Sequence, residues 1–386
     1  MLFVALRMLL GDPLKYLSLI GGVAFATLLM TQQASIFMGL TWQTGAPVRN
    51  TTGDFDLWLM DAQVEFSEEN KPLLDTALDR ARGVEGVEWA VPMYKWLRTA
   101  RLPDGTLKSV TVIGLDDASL IGGPPAMAKG ELVSLREDQA VLMDEAELAN
   151  NFTFTDANGV RRPTQVGDAF TIGEESVLVT GTFRKERSFF WQPVVYTTYS
   201  RALRIAPPDR RLMTFVLIKV RDGEDVAVVA QRLREATGYK ALTSQQFIEL
   251  TAWYVLLKTG ILINFSISVG LGLVIGVLVS AQTFYNFILD HLRHFGTLKA
   301  IGVSNVAIVG MVFVQILLVG VIGYGIGSGL ASVLGIGFAN VGPGAFRLPW
   351  QIPAFVAVSI FGASMLAGLV SLVRVLRLEP AIVFRT

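Results

Sequence analysis

The chain has 386 residues, with 33 basic and 33 acidic side chains, a formal net charge of zero, 52% hydrophobic and 17% charged residues. Soluble domains carry about 25% charged residues, so part of this chain is built for lipid, and the missing basic surplus excludes a nucleic-acid partner. The absence of cysteine excludes disulfides, thiolate metal ligands and a thiol nucleophile, and His291 and His294 are the only histidines.

Residues 1–15 form a basic amphipathic preface carrying Arg7 and Lys15, expected in the cytoplasm. No charge occurs from there to Arg49, and residues 16–40 read as the first transmembrane helix. This run exceeds the roughly 7–15 apolar residues of a signal peptide, so it is expected to be retained as an anchor.

Residues 41–250 hold most of the acids and read as an extracytoplasmic α+β domain with a small β-rich insertion. "KPLLDTALDRARG" has helical spacing and stops at Gly83. "VEGVEWAVPMY" reads as a strand ending near Pro92, and "KSVTVIGLD" as a strand preceded by the turn "PDGT". "VLMDEAELANNF" runs from strand into helix, and the Gly-punctuated segment 157–184 supplies the β-rich insertion. "LMTFVLIKV", "VAVVAQRLREATG" and "KALTSQQ" read as strand, helix and strand.

Little chemistry is expected in this domain. It lacks His and Cys, which removes a His-based triad and typical zinc ligands. Asp54, Asp56 and Asp61, or Asp116 and Asp117, are candidate acid–base pairs, against the plainer reading as solvated strand-end acids. The aromatic cluster "RSFFW" (187–191) is read as seam packing, with a partner contact as the alternative.

Thr243 with Gln246 forms a capping-box pattern, and no proline follows as far as Leu289. A continuous helix would be about 67 Å long, so residues 251–288 read as the second span with a periplasmic stalk, the projecting helix bearing Glu249, Trp253 and Tyr254 and Lys258 lying near the membrane interface. Residues 289–304 form a basic connector, 305–330 the third span, 331–350 a periplasmic loop, 351–373 the fourth span and 374–386 a cytoplasmic tail. Lys and Arg near the span ends set orientation. Arg7, Lys15, Arg293, Lys299, Arg374, Arg377 and Arg385 fall on one side of a four-span layout, leaving Arg347 alone opposite. The expected fold is an α-helical membrane protein in the bacterial inner membrane. It has four transmembrane helices, a large α+β extracytoplasmic domain between helices 1 and 2, and both termini cytoplasmic.

No Asp, Glu, Lys, Arg or His lies in the core of a span, where the polar residues are Gln32, Gln33, Asn264, Gln282 and Gln315. That weighs against an ion-coupled carrier. Ser268, Gly272, Gly276 and Ser280 recur at four-residue spacing, and Gly323/Gly327 and Gly325/Gly329 repeat the pattern. Such faces let helices approach closely, either within the subunit or across a homodimer. No GxxxxGK[ST] phosphate loop occurs, so no ATPase activity is expected of this chain itself.

The connector offers cationic donors in Arg293, His294 and Lys299 and an apolar face from Phe295, Leu298 and Ile301. Gly296 and Gly302 allow turns at either end, and Thr297 lies between them. These residues suit either a docking ridge with a charged rim or a basic hairpin held at lipid headgroups. His291 and His294 have no further ligands nearby, so no metal is expected.

The run "HFGTLKAIGVSNVAIVGMVFVQ", with its G-x-L-K-A-I-G signature from Gly296 to Gly302, resembles the segment after the second span of MacB/FtsX-type ABC permeases. "RLEPAIVFR" resembles their closing P-A-x-x-x-R. "GVAFATLLMTQQASIFMGL", "DFDLWLM", "GVEGVEWAVPMYKW" and "VTVIGLD" are similar to the DevC subfamily of separate permease subunits. The likeness spans nearly the whole chain and is weakest between Gly122 and Asp209.

The resemblance implies a coupling helix at Arg293, His294, Phe295, Gly296, Thr297, Leu298, Lys299, Ile301 and Gly302 that docks on a cytoplasmic ABC ATPase. It implies a homodimer with two ATPase copies, which bind ATP and Mg while this chain binds no cofactor. It also implies mechanotransmission to a periplasmic domain that works with a membrane-fusion adaptor and an outer-membrane duct to export a lipid-like or amphiphilic cargo. The alternative is an FtsX-like signal transmitter that activates a periplasmic partner and moves no substrate.

Overall fold

The structure, a computed structural model, describes residues 7, 13–156, 159–290, 292–341 and 345–376. In chain order it has α1 (Pro13–Thr44), α2 (Ala46–Arg49), β1 (Leu57–Met60), α3 (Thr76–Arg82), β2 (Val87–Arg101), β3 (Leu107–Leu115), β4 (Ala126–Lys129), β5 (Ala140–Asp144), α4 (Glu145–Asn150), β6 (Thr153–Thr155), β7 (Arg161–Pro163), β8 (Ala169–Ile172), β9 (Glu175–Arg184), β10 (Val194–Thr198), α5 (Tyr199–Ile205), β11 (Phe215–Val220), α6 (Val226–Thr237) and β12 (Lys240–Thr243). Five helices follow: α7 (Ser244–Lys258), α8 (Ile261–Asp290), α9 (Leu292–Ala300), α10 (Asn305–Val341) and α11 (Gln351–Leu376). The chain divides into two compact units, residues 41–259 and residues 1–40 with 260–386.

The first unit is built on a sheet ordered β12-β1-β11-β2-β3-β10-β5-β9-β4, with β8 pairing both β2 and β9. Its four-stranded end, β12-β1-β11-β2, is antiparallel. Alternation sorts its side chains to two buried faces. Leu57 and Leu59 of β1 join Val216 and Ile218 of β11 in one core with Ala77 and Ala81 of α3 and Leu233 of α6. Trp58 and Met60 join Phe215 and Leu217 in the opposite core with Phe247 of α7. Cover on both faces explains why β1 reads as an unbroken apolar run.

Strand β2 does not stop at Pro92. It pairs β11 from Val87 to Met93 and then β3 from Tyr94 to Arg101. Pro92 sits just before the hand-over, where β3 does not yet pair with β2. A residue without an N–H is tolerated there because one side of the strand is locally an edge. Beyond it, β2-β3-β10-β5-β9-β8 closes on itself through Ala100↔Ile172 and Arg101↔Thr171. The ring has its own core, including Val110, Val112, Val141, Val179 and Phe152. The β-rich part is therefore larger than segment 157–184, because it takes the second half of β2 with β3, β5 and β10. Closure removes edges that would otherwise template aggregation.

The helical readings hold with moved ends. Helix α3 begins at Thr76 and ends at Arg82, with Gly83 as its C-cap. Thr243 Oγ1 accepts from Gln246 N–H at 3.2 Å, and Gln246 Oε1 accepts from Thr243 N–H at 3.1 Å, which completes the capping box of α7. The continuous helix expected from here to Leu289 is interrupted. Helix α7 ends at Lys258, Gly260 adopts φ +72°, and α8 starts at Ile261. A left-handed glycine after a basic last turn is a helix stop.

In the second unit, α1, α8, α10 and α11 surround one apolar core. Leu19, Val23 and Met30 of α1, Ile308 and Val319 of α10, and Val356 and Ile360 of α11 are buried in it. By length and composition, Tyr16–Thr44 and Asn305–Phe338 suffice to cross a membrane. Ser244–Lys258 with Ile261–Gly276 qualifies only as a broken span, and Gln351–Leu366 is apolar but shorter. The loop expected at 331–350 is mostly helix, because α10 runs on to Val341. Gly335 does not break it; the glycine lies against the ring of Phe346, where a side chain would collide. The closing motif at 377–385, with Arg377 and Arg385, lies outside the described residues, as does His291.

Candidate functional site

The connector folds as the nine-residue helix α9, separated from α8 by one residue and from α10 by four. Its C-terminus is a Schellman motif. Val303 N–H donates to Leu298 O and Gly302 N–H to Lys299 O, both at 3.0 Å, with Gly302 at φ +91°. Ser304 then opens α10, accepting on its hydroxyl from Ala307 N–H at 3.3 Å. Gly302 thus makes the expected turn. Gly296 does not, because it is buried inside the helix.

The expected apolar ridge is divided between two roles. Phe295 is fully buried and belongs to the core that includes Leu19, Ile308 and Val312, so it anchors the helix rather than presenting itself. Ile301 is 73% exposed, His294 and Thr297 are exposed, and Leu298 and Lys299 are half-buried. The outward surface is therefore His294, Thr297 and Ile301 at i, i+3 and i+7. The Arg293 side chain lies outside the described residues. The i, i+3, i+6 reading failed because a helix of this pitch turns Phe295 and Ile301 to different sides.

The small-residue stripe of α8 meets α1. A Cβ on Gly276 would lie 2.8 Å from Ala26 Cβ, and one on Gly272 would lie 3.3 Å from Met30 Cγ. Gly323 and Gly327 of α10 meet α1 as well, against Val23 and Thr27. Gly325 and Gly329 have nothing within 4 Å. Gly272 and Gly276 therefore serve packing within the subunit, so a homodimer would need another face. Ser268 Oγ donates to Asn264 O within its own helix at 3.0 Å. The Ser280 side chain lies outside the described residues.

The carboxylates of the outer domain have structural partners. Asp54 and Asp56 hold Lys219, Asp56 also caps Val220 N–H, Asp116 accepts from Ser119, and Asp117 accepts from Ser200 N–H. Among the described residues no cluster of three potential metal ligands occurs. The "RSFFW" cluster is a seam. Phe190 packs beside Phe66, which stacks on Tyr254 of α7 at 4.4 Å, and Phe189 N–H donates to Gln43 O at 3.1 Å. Trp191 is the exposed aromatic of the cluster.

Residues 17–236 match the MacB-like periplasmic core domain family, and residues 266–380 match the FtsX-like permease C-terminal family. The first match alone covers more than half of the chain. The chain belongs to the MacB/FtsX-type family of ABC transporter permeases. Among solved structures, the extracellular domain of the noncanonic ABC-type transporter YknZ from Gram-positive bacteria is 14% identical. That match covers 49% of this chain and 99% of that one, with a TM-score of 0.33. The periplasmic region of MacB from Actinobacillus actinomycetemcomitans is also 14% identical, covering 52% and 94%, with a TM-score of 0.37. A domain of a Porphyromonas gingivalis permease protein is 11% identical, covering 48% and 85%, with a TM-score of 0.28. Structural likenesses at these scores carry no argument about function. No curated relative matches the chain.

Members of the MacB/FtsX-type family work with a cytoplasmic ATPase. Helix α9 lies inside the FtsX-like match. Within the MacB-like match, sequence reasoning missed Lys95, a cation buried in the middle of an apolar strand. Its Nζ donates to Glu68 Oε1 at 2.8 Å and to Ser67 O at 2.9 Å. The signal was legible: one lysine in "VPMYKWL" where every other residue is apolar.

Proposed function

We propose that this chain is the permease subunit of an ATP-driven exporter of the mechanotransmission type, close to the DevC subfamily. Four spans hold it in the inner membrane with both termini in the cytoplasm and residues 41–259 outside. Two ATPase subunits bind ATP and Mg, and each docks on one α9 of a homodimer. The outer domain engages a membrane-fusion adaptor and an outer-membrane duct, and an amphiphilic cargo leaves without crossing the charge-free helix cores.

The observation that carries this reading is the division of labour within α9. Phe295 ties the helix to the apolar core while His294, Thr297 and Ile301 stay exposed, in a chain that lacks a phosphate loop. A short helix anchored on one side and offered on the other suits a small interface with an apolar centre. Affinity purification of the full chain from its native membrane, with the bound proteins identified, tests it. An ABC ATPase with an adaptor and a duct is the expected result; no ATPase would overturn it. The FtsX-like match over residues 266–380 is equally compatible with one second reading, a transmitter that activates a periplasmic partner such as a hydrolase and moves no substrate. Recovery of a hydrolase in place of the adaptor and duct would select it.

A further inference from the structure

The outer domain contains a cavity of about 40 Å³ walled by Val48, Trp58, Met93, Phe190, Phe215 and Phe247. Roughly 10–15 Å³ holds one water, so the space fits about three water-sized groups. Three charged side chains reach this apolar lining: Glu68, Lys95 and Lys185. Glu68 is engaged by Lys95. Lys185 Nζ donates to Gln192 O at 3.3 Å, and among the described residues no carboxylate comes within ion-pair distance of it. Ser67 also lines the cavity, is 2% exposed, and its hydroxyl has no hydrogen-bond partner among the described residues.

Within the cavity lining two ammonium groups face one carboxylate, while Asp144 and Glu147 act on Lys185 from outside the lining and beyond ion-pair distance. Burial lowers the Lys185 pKa; Asp144, Glu147 and Glu68 pull it back up, and Lys95 pushes it further down. Water would satisfy the hydroxyl without meeting the Lys185 charge. A half-buried cation and a buried hydroxyl without a partner among the described residues, beside aromatic walls, are the few polar groups and apolar lining of an organic anion site.

We propose that this cavity binds the carboxylate end of a small acyl anion, held by Lys185 and the Ser67 hydroxyl, with its first carbons among Phe190, Phe215 and Phe247. The site does not rest on the permease reading, and its test reads binding rather than transport. The volume limits the buried part to a carboxylate and a short stub of chain, with the remainder leaving through the mouth. Glu68 works against the ligand, since its charge offsets part of the positive field.

The experiment is calorimetry on the full chain in lipid nanodiscs, with empty nanodiscs subtracted, using hexanoate, hexanol and acetate. Hexanoate is expected to bind at least tenfold more tightly than either of the others. Lys185→Met should weaken hexanoate at least tenfold, and Ser67→Ala should weaken it several-fold. Glu68→Gln keeps a carbonyl for Lys95 and removes the competing charge, so it should tighten hexanoate several-fold; a merely structural role would not produce a gain. Equal binding of hexanol and hexanoate would overturn the proposal. So would wild-type affinity in Lys185→Met, no gain in Glu68→Gln, or no heat above empty nanodiscs. If Lys185→Met does not fold, Ser67→Ala and Glu68→Gln still decide.

Discussion

Phe295 and Ile301 stand six residues apart in one connector, and the structure separates what their removal should do. Phe295 is fully buried, and truncating such a phenylalanine to alanine costs about 3–5 kcal/mol in cores that collapse only partly. Phe295→Ala should therefore lower the thermal midpoint of the purified chain and weaken ATPase binding only through the loss of folded protein. Ile301 is 73% exposed in the free chain, so Ile301→Ala should leave stability within about 0.5 kcal/mol. If docking covers that side chain, about three-quarters of the roughly 1.5–3 kcal/mol for burying an isoleucine is at stake. Some 1–2 kcal/mol corresponds to a loss of about 5- to 30-fold in Kd. Ile301→Asp should lose more, because it adds a charge to an apolar contact. The assay titrates the purified ATPase subunit onto nanodisc-held variants and records thermal midpoints in parallel. Unchanged affinity in Ile301→Asp would refute the reasoning, as would a Phe295→Ala chain of wild-type stability.

Gly276→Val places a branched side chain where a Cβ already lies 2.8 Å from Ala26; it should destabilise the chain by about 1–3 kcal/mol in a thermal melt and leave the oligomeric state on a sizing column unchanged. Gly260→Ala forces a side chain onto φ +72°, at about 1–2 kcal/mol, and should lower the melt where the helical control Gly310→Ala does not. Lys95→Met strands Glu68 in a largely buried ion pair, a loss of about 3–5 kcal/mol read by denaturant melts, and the double change Lys95→Met with Glu68→Leu should recover most of it. Hexanoate needs Lys185 protonated, so its affinity should fall as pH rises through a lysine pKa that burial has lowered. Loss only at the usual lysine range would contradict the geometry, and calorimetry across pH checks it.

Most of the outer fold was legible because periodicity and punctuation agreed with tertiary context. Asp225 caps α6 and Gly238 closes it in the left-handed region, and Gly105 turns β2 into β3 where "PDGT" marks it. What escaped was set by long-range pairing. Pro92 looked like a strand end, because the sequence cannot say that β2 changes neighbours there. The closure of β8 onto β2 joins residues about seventy positions apart. The break after Lys258 was legible and overlooked: a basic last turn followed by glycine carries the same stop signal as Gly83 and Gly302. In the connector, residue types marked the segment off from the spans on either side. Which of Phe295 and Ile301 faces the core depends on how α9 meets the other helices, and no local pattern carries that.

The helix joint also moves the mechanical argument. A rigid lever through α7 and α8 required one unbroken helix, and Gly260 interrupts it. Helix α1 is the unbroken one, running 32 residues from Pro13 to Thr44, about 48 Å against a hydrocarbon thickness of roughly 30 Å. Within the membrane unit, Gly272 and Gly276 of α8 and Gly323 and Gly327 of α10 all close on α1, and contacts this tight transmit displacement rather than absorb it. At its other end Gln43 accepts from Phe189 N–H, and Arg49 lies 3.9 Å over Trp42 while pairing with Glu186 at 2.8 Å. The 185–193 loop that grips the end of α1 is the same loop that supplies Lys185 and Phe190 to the cavity.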